Sequence, residues 1–249
     1  MDVSYQLYSS RETTSWPDTL AMLAAAGYTQ VEGFAGVYTD AADFKAQLDA
    51  NGLTMPSGHF FPVRCFEEAL DISLKTATAL GMERLFCPAP EDLYRQGTDA
   101  AEWIALAKRL ETAAARVKDA GFRFGWHNHH WEFMPLPDGQ LAMNLLLEHA
   151  PTIEWEMDVA WVVRGGGDPL DWIRDHGHRI STAHVKDIAP EGECADEDGW
   201  ADVGHGTMDW PGLTQALRDA GVDLFVMEHD KPSDAIRFAQ RSIASFKTY

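Results

Sequence analysis

Basic residues are scarce: 20 lysines and arginines stand against 39 aspartates and glutamates, a formal net charge of −19. A protein that grips nucleic acid through its phosphates needs a lysine- and arginine-rich surface, so this balance argues against nucleic acid as a partner. It suits a soluble protein whose copies repel one another. Cysteine is scarcer still. Cys65, Cys87 and Cys194 are odd in number, scattered and never in CxxC spacing, which argues against a disulfide framework or a zinc knuckle and fits packed thiols in a reducing cytoplasm. No apolar run approaches the ~20 residues needed to span a bilayer. The N-terminus enters a strand-like segment without a basic or apolar leader, so a cytoplasmic protein away from membranes is expected.

At 249 residues and 45% hydrophobic content the chain can bury a substantial core, enough for one α/β barrel or two small domains. Its punctuation favours the barrel. Ala26-Gly27-Tyr28, Asn51-Gly52-Leu53, Leu80-Gly81-Met82, Ala120-Gly121-Phe122 and Ala220-Gly221-Val222 each place a glycine fit for a left-handed helix C-cap before a strand-like run. The predicted strands are Val3–Tyr8, Tyr28–Phe34, Thr54–Phe60, Arg84–Cys87, Phe122–His127, Ile153–Asp158, Ile180–Lys186 and Val222–Glu228. Between and after them come helices at Trp16–Ala26, Asp40–Ala50, Glu67–Leu80, Asp99–Ala120, Leu141–His149, Pro169–His176, Trp210–Ala220 and Ser233–Phe246. Pro88-Ala89-Pro90 opens a longer loop after the fourth strand, and Asp187–Asp209 is a long acidic loop. Eight alternating units without a linker predict a single (β/α)8 TIM barrel over residues 1–249. A doubly wound open sheet is the alternative, weakened because no GxGxxG follows the first strand.

A barrel of this kind works at the face where its strands end. The polar residues gather there: Glu32, His59, His127 and His129, Asp158, His184 and Lys186, and Glu228. Carboxylates crowded together resist ionisation unless a cation neutralises them. Asp158, Glu228 and His184 offer hard oxygen and imidazole, which suits one divalent ion, manganese, zinc, cobalt or magnesium.

Six ordered stretches carry a resemblance: Gln6-Leu7-Tyr8-Ser9, His127-Asn128-His129-His130-Trp131-Glu132-Phe133, Glu156-Met157-Asp158-Val159-Ala160-Trp161, His184-Val185-Lys186-Asp187, Val203-Gly204-His205-Gly206 and Met227-Glu228-His229-Asp230. Together they resemble the sugar phosphate isomerase/epimerase family of xylose isomerase-like TIM barrels. The resemblance implies a divalent metal held at strand ends five to eight by Glu, Asp, His and Glu. Asp158, His184 and Glu228 match. On strand five His127 stands where many relatives have glutamate, and it is the expected replacement ligand, with Gly125 leaving room beneath it. Relatives often carry histidine where this chain has Trp161, which points to an apolar surface for a sugar ring.

Glu156 lies on the face of Asp158, about 6–7 Å deeper along the strand. It is expected to fix the ring of His127, to bind the metal or to contact substrate. His59, Glu132 and Trp161 complete the expected substrate contacts. Such a site supports proton abstraction beside a carbonyl, with Glu228 as base, Lys186 neutralising the oxyanion and His129 as the opposite acid. The leading expectation is a metal-dependent isomerase or epimerase of a small carbohydrate. A lyase or dehydratase on a keto-sugar, keto-glycoside or inosose is the alternative, ahead of an apurinic-type endonuclease or a non-catalytic sugar-binding barrel. Nothing clearly marks a phosphate cradle, and assembly into homo-oligomers stays open.

Overall fold

The run Glu154-Trp155-Glu156-Met157-Asp158 alternates acids with large apolar side chains, and a strand sends the two sets to opposite faces. In the computed structural model, which describes residues 2–13, 15–91 and 98–249, that alternation separates a polar barrel interior from an apolar shell. In chain order the elements are β1 (Ser4–Gln6), α1 (Trp16–Ala26), β2 (Gln30–Gly33), α2 (Ala41–Ala50), β3 (Thr54–His59), α3 (Leu70–Leu80), β4 (Arg84–Cys87) and α4 (Ala100–Asp119). They continue with β5 (Arg123–His127), α5 (Ala142–His149), β6 (Glu154–Asp158), α6 (Val159–Arg164), α7 (Pro169–His176) and β7 (Ile180–Val185). A hairpin of β8 (Asp187–Ile188) and β9 (Trp200–Ala201) precedes α8 (Trp210–Asp219), β10 (Leu224–Met227) and α9 (Ala235–Phe246).

Among the described residues eight strands, β1 to β7 and β10, pair in parallel and close into a barrel in which β1 meets both β2 and β10. The predicted (β/α)8 barrel is the fold. Tyr5, Trp126, Trp155, Met157, Val185 and Met227 point outward and join the continuous core between strands and helices. The five glycines expected at helix ends all take positive φ, from 67° at Gly52 to 97° at Gly27. No helix among the described residues is long and apolar enough to cross a membrane.

Several boundaries differ from expectation for local reasons. The first strand stops at Gln6, whose Oε1 accepts the N–H of Tyr8 at 3.1 Å and turns Leu7–Ser10 into a 3-10 helix. The third helix begins at Leu70 instead of Glu67, after a 3-10 turn over Val63–Phe66. An unexpected helix, α6, comes immediately after β6. Its β-branched sequence reads poorly as helix, but Asp158 Oδ1 accepts the N–H of Trp161 at 2.9 Å and caps it.

The acidic loop 187–209 is anchored, with the β8–β9 hairpin inside it. The buried Asp187 carboxylate accepts N–H groups of Ile188, Gly204, Gly206 and Met208 at 2.9 to 3.2 Å. Buried Glu197 and Asp202 are clamped by Arg237. The loop opened by Pro88-Ala89-Pro90 runs partly outside the described residues.

Candidate metal centre

Strand register brings the expected ligands together. His127 on β5 lies opposite Glu156 on β6, and Asp158 lies opposite His184 on β7. His184 in turn pairs with Val226 on β10, two residues before Glu228. One donor atom each from His127, Asp158, His184 and Glu228 lies within 4.8 Å of the others. A second such group, His59, His127, Glu156 and His184, shares two of the rings.

Hydrogen bonding separates the two groups. Glu32 Oε1 lies 2.7 Å from His184 Nε2, and Glu156 Oε2 lies 2.6 Å from His59 Nε2 and 3.3 Å from His127 Nδ1. The inner nitrogens of His127 and His184 thus face carboxylates, as in the carboxylate–histidine pairs that orient ligating rings. The other nitrogen of His184, Nδ1, sits 2.9 Å from Glu228 Oε2. Glu32 is itself fixed by Gln6 Nε2 at 2.8 Å and by the Ser57 hydroxyl. Glu156 is fully buried and is not among the residues lining the mouth, so the structure does not bring it to the cavity as a substrate contact.

The mouth gathers three carboxylates around one ammonium. Lys186 Nζ lies 2.8 Å from Asp158 Oδ2, 2.9 Å from Glu228 Oε2 and 2.8 Å from Asp230 Oδ2. The carboxylates outnumber the ammonium, a surplus of negative charge that a cation or a protonated His184 offsets. Lys186 Nζ, Asp158 Oδ2 and Asp230 Oδ2 are buried without a well-aligned hydrogen bond, so their charges are compensated only in part by one another. Two imidazoles and two carboxylates fit manganese, zinc or cobalt.

The protonation preferences agree. Burial, helped by His184, pushes the His127 imidazole down to about 3, keeping it neutral as a ligand must be. Burial would lower His184 too, but Glu156, Glu228 and Glu32 outweigh it and hold the ring well above its usual value, so it seeks a proton or a metal. Burial raises the Asp158 carboxyl to about 6 against the pull of Lys186. Burial likewise opposes the charge on Lys186, yet Asp158, Asp230 and Glu228 keep it raised and charged.

The cavity above has a volume of about 310 Å³, and His59, His127, His129, Glu228 and Asp230 are among its lining. His129, lowered by burial and by His127, stacks on Trp131 at 4.2 Å and leaves Nδ1 unbonded. Two expected substrate contacts are not brought to the cavity. Glu132 is fully buried, with Oε1 taking Trp126 Nε1 at 3.0 Å and Oε2 taking the N–H of His129 at 2.9 Å. It braces the turn after β5. Trp161 packs edge-on against Trp200 at 4.7 Å, with Lys186 Nζ 5.0 Å from its ring, so it shields the ammonium. The space expected beneath His127 is filled: a Cβ on Gly125 would meet Phe86 Cε1 at 2.7 Å.

Residue-by-residue reading missed Asp230 and Asn128. Asp230 shares strand parity with Glu228, a signal already present in Glu-His-Asp. Asn128 Oδ1 accepts Trp155 Nε1 at 2.8 Å and the N–H of Asp158 at 3.0 Å, tying β5 to β6; its position next to His127 was the only hint.

The family model of the xylose isomerase-like TIM barrel matches residues 20–249. The chain belongs to that family. Among solved structures it is similar to a sugar phosphate isomerase/epimerase from Parabacteroides distasonis, with a TM-score of 0.81 at 23% identity over 98% of this chain and 92% of that one. It is also similar to the probable 3-DHS dehydratase AsbF of petrobactin synthesis from Bacillus anthracis, with a TM-score of 0.75 at 13% identity over 100% and 98%. The IOLI protein with a bound zinc atom gives a TM-score of 0.74 at 14% identity over 100% and 96%. At these identities the likeness is one of fold. No curated protein matches the chain.

Proposed function

We propose that this family member is a divalent-metal-dependent isomerase or epimerase that abstracts a proton beside the carbonyl of a sugar or keto-sugar. The observation that carries the reading is the set of His127, Asp158, His184 and Glu228 donors within 4.8 Å, next to a buried, charged lysine. These four residues would hold the ion. When bound, it supplies the positive charge that polarises a carbonyl and stabilises the developing enediolate.

Glu228 lines the cavity and commits Oε2 to His184 and Lys186. That leaves Oε1 to accept a substrate proton. Lys186, charged and held by three carboxylates, supplies a second positive charge to the developing oxyanion. His129 is neutral and lines the cavity, so it can accept from or donate to a hydroxyl on the substrate. His59, 2.6 Å from Glu156, can pass a proton between the cavity and the buried carboxylate. The net charge of −19 argues against the nucleic acid that an apurinic-type endonuclease would need.

Incubation with a panel of keto-sugars in deuterium oxide tests the reading. Deuterium should enter the carbon beside the carbonyl with the protein as purified and not with Glu228→Gln. No incorporation from any keto-sugar, at full metal content, would reject it.

A further inference from the structure

We infer that the mouth takes a sugar carrying an apolar ring, as in an aryl glycoside, and discriminates against a phosphorylated sugar; this deepens the carbohydrate reading above and rests on it. The floor of the 310 Å³ cavity is made of imidazoles and carboxylates, and its walls are made of Tyr8, Phe34, Phe61 and Pro88. Among the described residues Tyr8 and Phe61 are two of the few large apolar side chains left exposed, at 39% and 41%, and both are at this one mouth. Tyr8 meets Phe34 edge-to-face at 5.5 Å, so the wall is a built aromatic surface. Exposed apolar surface gathered at a cleft marks a binding groove, whereas single exposed residues need no explanation.

A polar floor beneath an aromatic wall fits an amphiphilic ligand, with hydroxyls below and a ring above. The described lining offers little to a phosphate. Phosphate calls for arginine, lysine or a cluster of backbone N–H groups, and no lysine or arginine is among the described residues that line the cavity. Lys186 is fully buried and already faces three carboxylates. Arg11 lies over the Tyr8 ring at 4.1 Å and belongs to the lining of a neighbouring cavity.

The test is calorimetric titration of the protein as purified with matched methyl and phenyl β-glycosides of glucose, galactose and xylose, and with glucose and glucose 6-phosphate. At least one phenyl glycoside should bind ten-fold or more tightly than its methyl partner, and glucose 6-phosphate should bind no more tightly than glucose. Phe61→Ser and, separately, Tyr8→Ser should shrink the ratio of phenyl to methyl glycoside affinity, with circular dichroism confirming the fold. Equal affinities within every pair, or a preference for the phosphate, overturn the inference and leave the carbohydrate reading standing. Binding of no glycoside at all also overturns the inference, and the carbohydrate reading is then decided by deuterium incorporation from keto-sugars.

Discussion

Lys186 Nζ lies 2.8 Å from Asp158 Oδ2, and neither residue has measurable exposure. A buried ion pair is held by its surroundings, and removing one partner strands the other at a cost of about 3–5 kcal/mol. Lys186→Met should therefore lower the stability of the metal-free protein by about that amount, read from urea unfolding. It should spare metal retention, since the ammonium is not a ligand, and cut turnover by about 10²–10⁴-fold. Unchanged turnover would remove the lysine from the mechanism.

Asp158 serves two elements at once, through Oδ1 to the α6 N-terminus and through Oδ2 to the mouth. Asp158→Asn should keep the cap and lose the metal, whereas Asp158→Ala should lose both, the cap costing about 1 kcal/mol more. Glu228→Ala should also lose the metal. Glu156→Gln should weaken affinity only about 10–100-fold, as expected of a group that orients a ligand. Elemental mass spectrometry of the purified variants decides. Full metal content in both Asp158→Asn and Glu228→Ala would place the ion elsewhere.

His127 gives the set two imidazoles and two carboxylates. His127→Glu adds hard oxygen and negative charge, and preference should move from zinc or cobalt towards manganese or magnesium. Competition dialysis against mixed metals reads the ratio, and an unmoved ratio would argue that His127 is not a ligand.

The barrel and the clustering of the candidate ligands were legible because both rest on short-range rules. Glycines such as Gly27 and Gly221 punctuate each unit, and strand parity puts Asp158, His184 and Glu228 on one face. Parity also placed Glu156 beneath His127, where it is found. The turns beyond the strand ends were less legible. Glu132 and Trp161 sit in turns after β5 and β6, and their directions depend on tertiary partners, Trp126 for the one and Trp200 for the other. The helix α6 was hidden because Val159-Ala160-Trp161-Val162-Val163 has strand-like composition, and a single capping carboxylate overrides it. Asp230 shares parity with Glu228 in Glu-His-Asp, and its contact with Lys186 gives that signal its meaning.

Metal retention should depend on pH with a definite sign. Ligands must be deprotonated to bind. Asp158 is raised by burial to about 6, and His184 is held well above its usual value. Protons therefore compete with the ion, and bound metal at fixed free metal should rise between pH 5 and pH 8 and be lost as pH falls through about 6. Equilibrium dialysis across that range checks it. A flat profile would mean that neither group touches the ion.

Asp187 fixes the long loop from outside the metal centre. Its carboxylate accepts four backbone N–H groups, three of them from the segment 204–208, so it ties the far end of the acidic loop to the end of β7. Burial raises its carboxyl against the lowering effect of those bonds, so the pocket suits an acceptor fixed by donors and little else. Asp187→Ala leaves those N–H groups without their acceptor and should cost at least about 3 kcal/mol. Asp187→Asn retains one acceptor oxygen and should cost less. Because Trp200, which lies 4.9 Å from Lys186 Nζ, is carried by the same loop, the alanine variant should also open the ammonium to water. Limited proteolysis should then cut first within residues 187–209. Cleavage elsewhere, with unfolding like that of the unaltered chain, would show that the hairpin and the Arg237 clamp hold the loop without Asp187.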